Sequence, residues 1–248
     1  MSKSFTSLCV VWFTYSKDAA LTRIALRCAR WALPGASLVV VNDAHDPISK
    51  SARKKLERLG STVVDSTTRR GGNLRGEVWI KRQAEILRDA GLKTGAAVVV
   101  KTDPDTLLLS GDWLLSVING DADAAGWLSS HENRRSWFGC AYAIRTEVLE
   151  SVPTEVHASC ADFNMRAHED IVIGDAVRKV AKRQLIARDI RTAAAPELGC
   201  SGHFWGRKER ADHYLNDVIT FSPNWHGKEV TALEMNRIFN ARKRYENE

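Results

Sequence analysis

The sequence predicts an α/β fold with a mostly parallel central sheet flanked by helices. Short runs of β-branched and apolar residues, typical of buried strands, alternate with longer amphipathic segments, typical of helices. Over residues 8–64 the order is strand, helix, strand, helix, strand, which is the order of a parallel, doubly wound sheet. The chain has 248 residues, enough for one large domain or two small ones, and no clear linker divides it.

The elements of the first half follow from these patterns. Strands are predicted at residues 8–13, 38–41, 62–64 and 96–101, and helices at 19–33, 51–59 and 77–90. A loop rich in Arg and Gly, residues 68–76, precedes the third helix. Its composition suits phosphate contact, but it lacks the spacing of a phosphate-binding loop, and an ordinary surface loop is an equal alternative.

The second half alternates less regularly. Strands are predicted at 124–128, 184–190 and 217–221, a small-residue strand or turn at 138–144, and a helical or extended element at 111–118. Helices are predicted at 146–152, 171–182 and 231–245, and a loop with an aromatic pair at 200–207. Glu169 and Asp170 therefore come just before a helix, where an aspartate can serve simply as the N-cap.

Two aspartates, Asp103 and Asp105, stand two positions apart between strongly apolar runs. The Asp-Pro step ends the preceding strand, because proline cannot donate to a sheet ladder. The pair is therefore placed at the carboxyl edge of the sheet, where open α/β folds bind ligands. Mg²⁺ and Mn²⁺ take carboxylate and phosphate oxygens, so the pattern predicts a divalent metal site. The alternative is a turn and a cap, but uncompensated carboxylates are costly in apolar surroundings.

Positive charge is concentrated late in the chain. Residues 178–210 carry nine Lys and Arg and three acids, so this stretch alone equals the net charge of the whole protein, +6. A local basic surface predicts an acidic partner, which could be nucleic acid, anionic lipid or a phosphorylated substrate. A solvated helix face is the alternative interpretation.

The cysteines and the apolar runs bear on the compartment. Five cysteines are scattered singly without a C-x-x-C pair, which favours reduced thiols in a cytoplasmic protein over a disulfide framework or a zinc site. No apolar run is long enough to span a bilayer, and the first residues lack the apolar core of a signal peptide. We therefore expect a cytoplasmic protein with no integral membrane segment.

The order of the motifs resembles that of the nucleotide-sugar-dependent glycosyltransferases of the GT-A fold. The chain shows βαβαβ, then D-x-D near its middle, a small-residue strand, an E-D pair at a helix start and a late histidine. The resemblance covers residues 8–228. It implies a single Rossmann-like GT-A domain over 1–248, with a nucleotide-binding half at 1–109 and an acceptor-binding half at 110–248. It also implies Mn²⁺ or Mg²⁺ and a nucleotide-sugar donor, which we expect to be a UDP-sugar.

The resemblance assigns the donor site residue by residue. Asp103 and Asp105 match the D-x-D that holds a divalent cation against the diphosphate of the donor. Thr14, Tyr15 and Asp43 follow the first two strands, where members of the family hold the base and ribose. These assignments predict that the three side chains and the aspartate pair share one edge of the sheet.

The resemblance also assigns a base and a third metal ligand. Glu169 and Asp170 match the x-E-D motif, whose aspartate deprotonates the acceptor hydroxyl in inverting members. Many members place a late histidine that completes the metal site, and His226 lies at the corresponding position. We favour His226 for this role because it follows a predicted strand. His203, in an H-F-x-G pattern, competes for that role.

A leaving diphosphate also needs positive charge around it. Arg75 and Lys228 are the candidates for this role, and both are assigned to the donor-binding site.

The acceptor is not specified by any motif. A basic chain without a membrane span favours an anionic polymer, and we expect a hydroxymethylated pyrimidine in DNA, the acceptor of phage-type DNA glycosyltransferases. The target base would be flipped out, and Trp137 or Trp205 could hold it. The alternatives are a glycan or lipopolysaccharide transferase at a membrane surface and a non-enzymatic basic nucleic-acid-binding module.

Other enzyme classes fit less well. A phosphatase of the haloacid dehalogenase type carries D-x-D at its first strand, whereas here the motif follows the fourth. A nucleotidyltransferase needs a Gly-rich loop directly after the first strand, and residues 14–18 contain no glycine. The absence of Q-x-x-R-W also counts against a processive polymer synthase.

Overall fold

The computed structural model describes residues 4–67, 77–129, 136–152, 169–188, 191–195, 200–205, 213–221 and 227–248. Its strands are β1 (Leu8–Thr14), β2 (Ser37–Asn42), β3 (Ser61–Asp65), β4 (Val98–Thr102), β5 (Thr106–Leu108), β6 (Ala122–Ser129), β7 (Ser136–Arg145), β8 (Gln184–Arg188), β9 (Arg191–Ala195), β10 (Cys200–Trp205) and β11 (Val218–Phe221). Its helices are α1 (Ala19–Ala32), α2 (Lys50–Glu57), α3 (Glu77–Thr94), α4 (Leu115–Ile118), α5 (Thr146–Ser151), α6 (Glu169–Val180) and α7 (Lys228–Asn247).

Seven strands form the central sheet, in the order β3-β2-β1-β4-β7-β6-β8. Strands β3, β2, β1 and β4 are parallel, as are β6 and β8, and β7 runs antiparallel to both of its neighbours. The predicted α/β class with a mostly parallel central sheet is therefore confirmed.

Helices cover both faces of this sheet, which explains why β1 is apolar at six of its seven positions. All seven residues of β1 are buried. Leu8, Val10 and Trp12 pack in a core with residues of α1, α2 and α7, whereas the alternate residues pack in a second core with α3, α5 and α6. A strand covered on both faces lacks the alternation of polar and apolar residues that marks a half-exposed strand.

A second, smaller sheet was not predicted from the sequence. It is antiparallel and has the order β5-β11-β10-β9. The prediction of a loop at 200–207 is wrong for residues 200–205, which form β10, and β9 was not predicted at all. The two strands pair with each other and have only five and six residues, so local periodicity carries little information about them.

Two predicted boundaries differ in ways that matter for the site. Helix α6 begins at Glu169, so Glu169 and Asp170 lie in its first turn rather than before it. The segment predicted as a small-residue strand or turn is the ten-residue strand β7. No helix among the described segments is both long and apolar enough to cross a membrane. The proposed halves 1–109 and 110–248 remain a prediction.

Candidate functional site

The Asp-Pro-Asp segment is the turn that carries the chain from β4 of the central sheet to β5 of the small sheet. The backbone N–H of Asp103 donates to the carbonyl of Cys140 on β7 at 2.9 Å, and Thr106 donates back to the carbonyl of Asp103 at 3.1 Å. The N–H of Phe221 on β11 donates to the carbonyl of Asp105 at 3.0 Å. Both sheets therefore fix the backbone from which the two carboxylates project.

A buried lysine lies beneath this turn. The side chain of Lys101 is 1 % exposed, and its Nζ donates to Oδ1 of Asp103 at 2.6 Å. The same ammonium lies 5.6 Å from the centre of the Tyr142 ring, whose hydroxyl accepts a hydrogen bond from Nε2 of Gln83 at 3.3 Å. Buried polar groups thus connect α3 with the aspartate pair. Sequence reasoning missed Lys101, although a lysine in an otherwise apolar strand is an informative exception.

Asp105 is the carboxylate with the more unfavourable surroundings. Burial and the nearby charges of Asp103 and Asp18 raise its pKa well above the ordinary value, against smaller opposing effects that include the Lys101 ammonium. Negative charge is therefore crowded at this turn, and a bound cation would relieve it. Asp18 was not among the residues predicted for the site.

The cysteine beside the pair is not set up as a nucleophile. Burial and the charge of Asp103 raise the pKa of Cys140 to about 12. Nucleophilic attack requires the thiolate, which this raised pKa disfavours. The oxygen atoms of the two aspartates are the suitable donors here.

Two aspartates on one turn fit a hard divalent cation, which accepts one or two carboxylates together with waters and substrate phosphates. Within the described part of the chain, no group of three or more His, Cys, Asp or Glu residues comes together as a metal-binding set. His226, the predicted third ligand, lies outside the described residues, as does Arg75. His203 lies on β10 rather than in a loop, at the position paired with Thr220 of β11.

Lys228 and Tyr15, both predicted donor-site residues, are in direct contact. Lys228 is the first residue of α7, and its Nζ donates to the hydroxyl of Tyr15 at 2.6 Å and to the carboxylate of Asp18. It also lies 4.4 Å from the centre of the Tyr15 ring. Burial opposes the positive charge of Lys228, but the hydrogen bonds to Asp18 and Tyr15 outweigh it and raise its pKa. A stable cation therefore stands at the end of β1.

The structure places Thr14 and Asp43 at the neighbouring ends of β1 and β2. The N–H of Asp43 donates to the carbonyl of Thr14 at 3.0 Å, and the hydroxyl of Thr14 shares a 2.8 Å hydrogen bond with that of Thr22. Oδ1 of Asp43 accepts from the N–H groups of His45 at 2.7 Å and Asp46 at 3.1 Å. Both side chains thus order the strand ends, and their contact with a donor stays a prediction.

The predicted base lies on a different element. Glu169 and Asp170 are the first two residues of α6, and the structure describes only their backbone. The helix is anchored by buried residues such as Val172 and Ile173. An acid in the first turn of a helix is favoured by the helix dipole, so position alone does not require a catalytic role.

A mostly parallel sheet with one antiparallel strand and helices on both faces is the arrangement of the GT-A glycosyltransferase fold. An active-site mutant of LgtC superposes with a TM-score of 0.51 at 13% identity, over 72% of this chain and 72% of that one. The galactosyltransferase LgtC in complex with donor and acceptor sugar analogues gives 0.51 at 10% identity, again over 72% of each chain.

A structure of TarS from S. aureus gives a TM-score of 0.49 at 16% identity, over 73% of this chain and 58% of that one. No family model matches the chain, and no curated protein matches its sequence. At these identities the likeness to LgtC establishes the fold, which is the fold that the motif order predicted.

Proposed function

We propose that this protein is a metal-dependent glycosyltransferase that moves a sugar from a nucleotide-sugar, specifically a UDP-sugar, to an acceptor hydroxyl. The observation that supports this most is the crowding of Asp103 and Asp105 on a turn at the end of β4 in a GT-A fold. Acids held together in this way are stabilised by a divalent cation, and the diphosphate of a donor would complete its oxygen ligands.

The donor would lie along the ends of β1, β2 and β4. Asp18 accepts a hydrogen bond from Nζ of Lys228, and its charge also contributes to the raised pKa of Asp105, which supports assigning Lys228 to the same site as the aspartate turn. In this proposal Lys228 faces the diphosphate, Tyr15 contacts the nucleoside, and Thr14 and Asp43 shape the pocket for base and ribose. Arg75 would add a second cation at the diphosphate.

Transfer breaks the bond between C1 of the sugar and the diphosphate oxygen, and it forms a bond between C1 and the acceptor oxygen. Mn²⁺ or Mg²⁺, held by Asp103, Asp105 and His226 in our proposal, would neutralise the charge left on the diphosphate. Asp170 accepts the proton of the acceptor hydroxyl, and Glu169 supports it from the same helical turn. Direct attack by a base-activated hydroxyl makes the reaction inverting.

For the acceptor we propose a hydroxymethylated pyrimidine in DNA. The net charge of +6 and the isoelectric point near 9.1 favour a polyanion. A glycan or lipopolysaccharide acceptor at a membrane surface is the alternative. A module that only bound nucleic acid would have no use for the crowded pair of Asp103 and Asp105. Three described cysteines are free and buried, which suits the proposed cytoplasmic location.

The test is release of nucleoside diphosphate from a panel of nucleotide-sugars, with Mn²⁺ or with EDTA. We expect Mn²⁺-dependent release from one donor, loss of release in Asp103→Ala, and full release in Asp121→Ala, a matched change at an exposed aspartate outside the site. Asp170→Ala should still bind UDP and lose transfer. Failure of every donor, together with no Mn²⁺-dependent thermal shift on adding UDP, would overturn the proposal.

A further inference from the structure

We propose that α1 and α2 present a docking surface for the phosphodiester backbone of double-stranded nucleic acid. We call this surface the α1–α2 face and define it by six exposed cations: Arg23, Arg27, Arg30, Lys54, Lys55 and Arg58. The inference deepens the acceptor part of the proposed function and rests on it only for the hydroxyl that receives the sugar. Binding to the face requires no donor and no metal.

The outer side of α1 is occupied by arginine. The helix contains no acidic residue, its buried residues face the core, and its exposed positions are Ala20, Arg23, Arg27 and Arg30. The three arginines are four and three residues apart, so they share one side of the helix, with steps of about 6 and 4.5 Å along its axis. Like charges at this spacing destabilise an isolated helix, so helix stability does not account for the row.

The row continues onto the next helix. Lys54, Lys55 and Arg58 are exposed on α2 and at its end. The guanidinium of Arg30 lies against Gly60, where an added Cβ atom would come within 2.5 Å of its nitrogen. The last turn of α1 therefore touches the turn that follows α2, which brings Arg30 to the end of the helix that carries Lys54, Lys55 and Arg58.

Within the described segments, no carboxylate forms an ion pair with any of the six cations. The only acid on α2 is Glu57, which pairs with Arg53 at 3.1 Å, and Arg53 also pairs with Asp65 at 2.9 Å. Cations that have no carboxylate partner remain available to bind the phosphates of a polyanion, and this binding displaces small counterions. Displacement of counterions supplies most of the affinity of proteins for nucleic-acid backbones.

The basic stretch identified from the sequence behaves differently where it is described. Arg178 pairs with Asp175 at 3.3 Å, and Arg183 pairs with Asp123 at 3.2 Å and with Glu147 at 3.0 Å. These arginines are already matched by carboxylates of the protein. Lys179 and Lys182 of the same stretch are exposed and form no ion pair among the described residues, so the contrast with the α1–α2 face holds for the two arginines.

An aromatic ring joins the α1–α2 face to the last helix. Arg27 of α1 and Lys243 of α7 each lie 5.8 Å from the centre of the Phe239 ring. Phe239 itself is buried and packs edge-on against Trp31. Lys243, which is exposed, thus places a further cation of α7 near Arg27 of α1.

The composition of the face favours a duplex over a lipid bilayer. The exposed large apolar residues of the described chain are Val64, Leu92, Leu233 and Tyr245, and none of them lies on α1 or α2. Surfaces that bind membranes combine cations with apolar side chains that enter the lipid. A duplex instead offers one negative charge for about every 1.7 Å of its axis and requires cations alone.

The face also begins beside the candidate site. Helices α1 and α2 follow the parallel strands β1 and β2, so both start at the carboxyl edge of the sheet that holds Asp103 and Asp105. Asp18, at the start of α1, accepts a hydrogen bond from Lys228, a residue of the proposed donor site. A duplex lying along α1 would therefore bring one of its nucleotides to the site edge.

The experiment measures the anisotropy of a fluorescent DNA duplex titrated with the full chain at several salt concentrations. One variant replaces Arg23, Arg27 and Arg30 by glutamine. A matched control replaces Lys81, Arg88 and Lys93 of α3 by glutamine, which removes the same charge from the opposite side of the sheet.

A plot of log affinity against log salt loses about 0.9 units of slope for each phosphate contact removed. We therefore expect the first variant to lower the slope by about 2.7 and to weaken binding at least tenfold at low salt, and the control to retain the wild-type slope.

Vesicles of phosphatidylglycerol form the second arm, and donor hydrolysis the third. We expect the duplex to bind more tightly than the vesicles, and the α1 variant to release nucleoside diphosphate at the wild-type rate.

Equal loss of DNA affinity in the α1 variant and the α3 control, absence of salt-dependent DNA binding by the wild type, or stronger binding to vesicles would overturn the inference. If the α1 variant does not fold, the triple change Lys54→Gln, Lys55→Gln and Arg58→Gln tests the same prediction. Intact donor hydrolysis with no DNA binding would reject this surface and leave the transferase proposal standing.

Discussion

The ammonium of Lys101 donates a 2.6 Å hydrogen bond to the carboxylate of Asp103, and almost none of the lysine side chain is exposed. The crowded aspartates therefore have a counter-charge from their own strand. Replacing it with Lys101→Met leaves Asp103 and Asp105 without this cation. We expect the free energy of unfolding in EDTA to fall by about 3 kcal/mol, because breaking a buried ion pair leaves an uncompensated charge.

Thermal unfolding in EDTA and in Mn²⁺ measures this effect. Mn²⁺ should raise the melting temperature of Lys101→Met more than that of the wild type, since the metal replaces the missing charge. Lys93→Met is the matched control, because the side chain of Lys93 is 80% exposed. Equal responses to Mn²⁺ in the wild type and in Lys101→Met would contradict the interpretation.

Asp105→Asn should have the opposite effect on the metal-free protein. Burial, Asp103 and Asp18 raise the pKa of this carboxyl, which means that the ionised form is unfavourable in the folded state. The amide removes that cost, so we expect a melting temperature in EDTA higher by about 2 °C or more, and no response to Mn²⁺. Asp121→Asn, at an exposed position, should match the wild type in both conditions. A variant that melts earlier in EDTA would show that the carboxylate stabilises the fold.

Lys228 should contribute to nucleotide binding through its charge. Its ammonium is held by Tyr15 and Asp18 and remains protonated. We expect Lys228→Met to weaken UDP binding in Mn²⁺ by about tenfold, the value of one hydrogen bond to a charged group. Tyr15→Phe, which removes only the hydroxyl, should have less than half of that effect on the binding free energy. Isothermal titration calorimetry compares the three proteins, and unchanged affinity in Lys228→Met would remove this residue from the proposed site.

The pair formed by Asp65 and Arg53 should make stability depend on pH. Hydrogen bonds from Asn42 and Arg53 lower the pKa of Asp65 below its unfolded value of about 3.9. Their contribution is therefore present above that pH and is lost as the pH falls through the lower, folded pKa. The Asp65 side chain is 56% exposed, so Asp65→Asn should cost less than about 1 kcal/mol at pH 7.

Urea unfolding of both proteins at neutral and acidic pH tests this. The difference between wild type and Asp65→Asn should disappear below about pH 3, where Asp65 is protonated in the unfolded chain and increasingly in the folded one. A difference that persisted in acid would mean that packing, rather than charge, explains the loss.

Much of the central sheet was predictable because its strands carry their own signal. The uninterrupted apolar run of β1 is what a strand covered on both faces requires, and the Asp-Pro step marks the end of β4. These two features of the sequence are enough to place Asp103 and Asp105 at a sheet edge. The helices followed from amphipathic periodicity, with errors of a few residues at their ends.

The small sheet and the contacts around the site depend on partners that are far away in the chain. A three-residue strand such as β5 has no measurable periodicity, and it exists because β11 pairs with it. Tyr15 and Lys228 could each be assigned to the donor site from the sequence, but their contact joins residues 213 positions apart. Asp18 was missed for the same reason, since only the folded chain brings it near Asp105 and Lys228.

The pairing of β5 with β11 has a consequence for how the protein is made. Strand β11 begins at Val218, more than a hundred residues after the turn that it holds through Phe221 and Asp105. During synthesis the parallel strands β1 to β4 leave the ribosome first. They can associate early because the N-terminal parts of a chain generally fold first. The aspartate turn reaches its final geometry only after residue 221 has emerged. In a nascent or truncated chain that ends before Val218, the turn with both aspartates therefore lacks its contact with β11, and the metal binding proposed for this turn becomes possible only late in synthesis.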